Sequence, residues 1–79
     1  MNEKQLSVEC DASREVVELH LNRPGLDYLI DVLIHLRDAQ APDHVHIMSP
    51  DWGGNGLTGE AVNQNVDFVA AKHLKVCLW

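Results

Sequence analysis

The sequence predicts an α+β domain with the element order ββαββ. Two short runs near the N-terminus alternate apolar and polar residues with the two-residue period of a half-buried strand. A single leucine-rich stretch follows at helical spacing, and two more alternating runs close the chain. Seventy-nine residues allow one domain, spanning residues 1–79. The simplest assembly is a four-stranded, largely antiparallel sheet with the helix packed on one face. Placing the last strand between the second and the third gives the order 1-2-4-3, in which all neighbours are antiparallel.

In the first strand Leu6, Val8 and Cys10 alternate with Ser7 and Glu9, and Asp11-Ala-Ser-Arg supplies turn residues. Val17, Leu19 and Leu21 then alternate with Glu18 and His20, completing a hairpin. Asn22 can cap a helix in which Pro24 is tolerated in the first turn. Leu26, Leu29, Ile30, Leu33 and Leu36 define its expected buried stripe, and the helix should fade near Gln40, before Pro42. A strand at 44–49 leads into Trp52-Gly-Gly-Asn-Gly. From Thr58 to Ala71 the pattern is weak, and a loop with a short helical or extended piece anchored by Val66, Phe68 or Val69 is expected. Leu74, Val76 and Leu78 alternate with His73, Lys75 and Cys77 in the last strand.

Twelve acidic against six basic residues give a formal charge of −6. Phosphate-bearing partners would be repelled, so nucleic acid and anionic membranes are not expected, whereas a basic protein would be attracted. No apolar run approaches the ~18 residues of a membrane span, and MNEKQLSVE lacks the apolar core of a secretion signal. The expected location is cytoplasmic, with Cys10 and Cys77 as buried free thiols.

Strand alternation would leave one sheet face uncovered, carrying Glu9, Glu18, His20, His44, His46, Met48, His73, Lys75, Cys77 and Trp79. Such a face could serve as a homodimer contact. Its histidines invite a metal reading, since His44 and His46 lie two apart on a strand and His73 could be a third ligand. There is no CxxC, no HExxH and no clear acidic fourth ligand. His73 and Cys77, four residues apart on a strand, lie about 13 Å apart, too far for a base–nucleophile pair. The glycine loop has neither the Lys-Ser/Thr of a phosphate loop nor GxGxxG spacing. The residues therefore point to no enzyme and to no cofactor.

Two features suit a binding surface instead. Trp52 sits beside Asp51, Gly53 and Gly54, where its large ring either anchors a partner or plugs the edge of the core. Asp27, Asp31 and Asp38 lie along one helix flank with Ile34 between them, either as a solvated face or as an acidic ridge for a basic partner.

The stretch HVHIMSPDWGGNGL at 44–57, with the closing HLKVCLW at 73–79, resembles the immunity protein 32 family of bacterial polymorphic toxin systems. The resemblance implies a small α+β, non-enzymatic inhibitor that binds a cognate toxin domain, often a nuclease, made by the same cell. Trp52, Gly53, Gly54, Asp51, His44, His46, Asp27 and Asp31 are the expected partner-binding residues. The competing expectation is a small metal-binding or catalytic protein using His44, His46 and His73.

Overall fold

The computed structural model describes residues 3–79. Its elements are β1 (Leu6–Cys10), β2 (Val17–Leu21), α1 (Arg23–Arg37), β3 (Asp43–Met48), a 3-10 turn (Pro50–Trp52), β4 (Val69–Ala70) and β5 (His73–Leu78). The α+β class holds and the order is broadly ββαββ with one strand more: β5 is the expected closing strand, and β4 is a two-residue extended piece within the 58–71 tract. The single sheet in order 1-2-4-3 does not hold. The described residues form two sheets, β2-β1-β4 and β3-β5, and every pairing among them is antiparallel.

Only Ala71 and Lys72 separate β4 from β5, and their backbones tie the sheets together. Ala71 N donates to Val8 O at 2.7 Å, and Ser49 N donates to Lys72 O at 2.9 Å. The closing segment thus runs between β1 and β3, and the hairpin sits with β1 inside and β2 at the edge. The reason lies in what covers β1. Leu6 and Val8 face the core, while Ser7 and Glu9 on the opposite face are buried beneath residues 60–63. Alternation reads the same for either strand of a hairpin and does not say which one will be covered twice. On β2, Val17 and Leu19 remain exposed.

Asn22 caps α1 as expected, its Oδ1 accepting from Gly25 N and from Gln5 N, each at 2.9 Å. The buried stripe is rotated from the predicted one. Gly25 and Leu36 are buried, Tyr28, Leu29 and Val32 pack on the core, and Leu26, Ile30, Leu33 and Ile34 are exposed. The cause is at Gly25, where a Cβ would run into the backbone carbonyl of Gln5. That contact brings the glycine side of the helix onto the chain leading into β1 and turns Leu26 and Ile30 outward. Leu6, Val8, Ile47 and Leu57 form the core cluster, the last supplied by the end of the glycine loop.

The tract 58–71 is anchored by polar contacts rather than by its apolar residues. Val66 is 93% exposed, Val69 is exposed, and only Phe68 is half-buried. Thr58 pairs with Leu6 through its amide and its hydroxyl. The Glu9 carboxylate, fully buried, accepts from Val62 N at 2.6 Å, Asn63 N at 3.0 Å and Ser7 Oγ at 2.7 Å. Burial works to raise the Glu9 pKa, but the Val62 amide, the Ser7 hydroxyl, the Asn63 amide and nearby His20 outweigh it and hold it below the ordinary range. Glu18, directly opposite Glu9, is likewise held low by Asn63 Nδ2 and His20.

Two outcomes follow from these contacts. Gly25→Ala should destabilise the domain by about 1–3 kcal/mol in urea unfolding, because the new methyl displaces backbone. Alanine elsewhere inside a helix would instead be favoured over glycine by about 1 kcal/mol. Because the Glu9 pKa is depressed on folding, its contribution is complete above the unfolded carboxyl value of about 4.3 and disappears as pH falls through the folded value. Glu9→Gln should therefore lower stability at pH 7 and flatten the acid limb of a stability–pH profile measured beside the wild type.

Candidate partner-binding surface

Beyond β3 the chain turns sharply. Trp52 N and Gly54 N both donate to Ser49 O at 3.0 Å, and Gly53 N donates to Pro50 O at 2.9 Å. Gly53 has φ +83°, where a side chain is disfavoured, so a glycine is required directly after the tryptophan. Asp51 pairs with Lys72 at 2.9 Å. These bonds hold Trp52 on a short rigid mount with 59% of its surface exposed. Trp52 therefore does not plug the core edge; Ile47 and Leu57 fill that position.

The indole heads a row of rings. Trp52 lies 5.6 Å from His73 between centroids, His73 lies 4.8 Å from His46, and His46 lies 4.9 Å edge-on to His44. His46 Nδ1 and His73 Nε2 share a hydrogen bond of 2.7 Å, so one of them donates and the other accepts. Partial desolvation, then the charges of His44, His73 and Lys75, push the His46 pKa down and favour its neutral form.

The row lies along the strand faces and does not converge on one point. Among the described residues, the potential ligand atoms that do lie within 4.8 Å of one another belong to Glu9, Glu18 and His20. These atoms already serve protein hydrogen bonds, to Ser7, Val62 and Asn63 from Glu9 and to His20 and Asn63 from Glu18. That pair also corrects the expected uncovered face. On the hairpin it is roofed by residues 60–63, and only its β3–β5 part, with His44, His46, Lys75, Cys77 and Trp79, stays open. Cys77 is exposed and Cys10 half-buried, so neither is the fully buried thiol expected; both are free.

On the other side of β3 lies α1. Tyr28, Asp31, Val32 and His35 from the helix and Val45, His46 and Ile47 from the strand line an open groove of about 350 Å³. Asp31 lies in it and Asp27 lies one turn earlier on the helix, both exposed. His46 borders both the ring row and the groove. The structure thus gathers His44, His46, Asp31 and, through His73, Trp52 around one strand. His73 as the link between Trp52 and His46, and Tyr28 and His35 as groove walls, were not singled out as partner-binding residues from the sequence. The first depends on the β3–β5 register and the second on the rotation of the helix.

A family model described as immunity protein 32 matches residues 16–72. The matched span holds the whole of HVHIMSPDWGGNGL, while the whole of β5 lies beyond it. No curated protein and no solved structure gives a significant match. No helix among the described residues is long and apolar enough to cross a membrane.

Because Trp52 is mounted on the surface, Trp52→Ala should shift thermal or urea stability by only about 0.5 kcal/mol, as exposed substitutions do. Leu57→Ala, in the core, should cost about 2–5 kcal/mol in the same measurement.

Proposed function

Since the chain belongs to the immunity protein 32 family, we propose that it is a non-catalytic immunity protein of a bacterial polymorphic toxin system, acting in the cytoplasm. In this reading it binds and neutralises the toxin domain encoded beside it. The observation that carries the reading is the solvent-facing Trp52 on its hydrogen-bonded turn, continuous with His73, His46 and His44. A rigid indole presents much apolar area at little entropic cost, which is why aromatic anchors dominate binding hot spots.

The acidity supports a basic protein partner. Asp27, Asp31 and Asp38 are exposed on α1, and the formal charge is −6. Complementary charge steers association and raises the on-rate more than it raises final affinity. Trp52, Gly53, Gly54, Asp51, His44, His46, Asp27 and Asp31 form the toxin-facing surface. Gly53 and Asp51 act by setting the turn that aims the indole.

Co-expression with the toxin from the neighbouring gene tests this directly. Trp52→Ala should weaken toxin binding by about 2 kcal/mol or more and abolish protection of the cell. Asp27→Lys with Asp31→Lys should slow association about tenfold and flatten its salt dependence, with the fold intact. A wild-type chain that neither binds nor protects against that toxin would sink the reading.

A further inference from the structure

Among the described residues, β3 is paired on one side only, with β5. In an antiparallel ladder, successive residues point their backbone groups alternately to the two sides. Ser49 N donates to Lys72 O, so Ser49, Ile47, Val45 and Asp43 turn toward β5. Met48, His46 and His44 turn to the outer edge. The far side of Met48 bears this out, since Met48 O accepts from Gly56 N at 3.0 Å and Leu57 N at 3.1 Å. Those two residues close the edge at that end. His44 N is taken by the Asp43 carboxylate at 2.7 Å. Among the described residues, no partner is recorded for the outward N–H and C=O of His46 or for the C=O of His44.

This open stretch of strand runs along the floor of the groove beside α1. Val45, Ile47, Tyr28 and Val32 give the groove apolar surface, and Asp31 and His35 stand on its helix wall. A strand edge of free backbone groups beside a helix that offers side-chain pockets is the geometry of β-strand addition. We propose that the β3 edge and α1 form a docking slot for an extended, cationic segment of the partner, which adds as a strand next to β3. The proposal rests on the immunity reading above and assigns its point of entry.

Length and charge agree with this occupant. From His46 to His44 the open edge spans about 7 Å, enough to pair with about two or three residues of an extended segment. Asp31 lies in the slot, Asp27 one turn away, and exposed Asp43 heads the strand. Lys4, whose ammonium stands 3.7 Å over the Tyr28 ring and bonds Asn55 O, covers the closed end. Cationic side chains of the incoming segment therefore belong toward the Asp31–Asp43 end. A second copy of this chain pairing edge to edge would bring Asp31, Asp27 and Asp43 of both copies together, which like-charge repulsion opposes.

The test uses a ten-residue peptide alternating lysine and valine as probe, an aspartate–valine peptide as control, and amide NMR of the full chain. The lysine peptide should shift the amides of 44–48 and 28–35 and slow exchange of the His46 amide, and the aspartate peptide should do neither. His46→Pro removes an outward N–H and no ladder bond, so it should weaken the peptide about tenfold or more. His46→Ala keeps that N–H and should lose clearly less affinity than His46→Pro, the difference between the two variants reading the backbone bond, and Asp31→Lys should also lose about tenfold. If His46→Pro fails to fold, Asp31→Lys and the exchange of the wild-type His46 amide decide the matter. Shifts confined to other surfaces, equal binding of the aspartate peptide, or unchanged binding by His46→Pro would overturn the slot. So would a dimer in sedimentation that His46→Pro dissociates. Protection against the toxin is scored separately. Protection that persists in a folded His46→Pro chain sinks the slot alone, whereas failure of the wild type to protect sinks the immunity reading.

Discussion

The burial of Glu9 is the constraint on which the arrangement of the chain depends. A carboxylate with no solvent contact is costly unless its oxygens are filled, and here they are filled by two consecutive amides of a segment more than fifty residues away. The segment 60–63 contributes little apolar burial of its own, and Val62 stays exposed. What fixes it is charge-assisted hydrogen bonding, reinforced by Ser7 Oγ donating to Glu60 O at 3.1 Å and by Asn63 Nδ2 reaching Glu18 at 2.9 Å. With both its faces covered, β1 becomes the interior strand.

The placement of β3 follows from that. Once Thr58 and Ala71 occupy the free side of β1, the closing strand can leave β1 only after Ala71 and pair onward with β3. Among the described residues, β3 then has a partner strand on one side alone. Its other side opens onto α1, and its outer face carries the histidines. A small domain of this kind exposes a backbone edge because it has too few strands to cover every one. Native proteins usually protect such an edge with charge, and the aspartates around this one fit both that protection and selective docking of a basic chain.

The turn after β3 shows how a functional ring can be rigid and exposed at once. Its backbone bonds close on Ser49 and Pro50, and the positive φ of Gly53 lets the chain double back without strain. The core is completed by Leu57, five residues later, so the indole is released from any packing duty. Division of labour between the two halves of one loop makes the tryptophan available to a partner.

The sequence by itself determined the α+β class, the hairpin, the Asn22 cap, the β3 and β5 segments and the family. Each of these is written in local periodicity, in capping chemistry or in a compact motif such as HVHIMSPDWGGNGL. Tertiary structure alone decided that β1 rather than β2 lies inside, that Gly25 rather than Leu26 faces the core, and that Glu9 is buried. It also decided that Trp52 meets His73 and that β3 keeps an open edge. These choices are invisible to alternation because a two-residue period names two faces without saying what will cover them. A helical stripe broad enough to include Leu26, Leu29, Leu33 and Leu36 leaves its rotation open, and here a single close approach of backbone to Gly25 settled it.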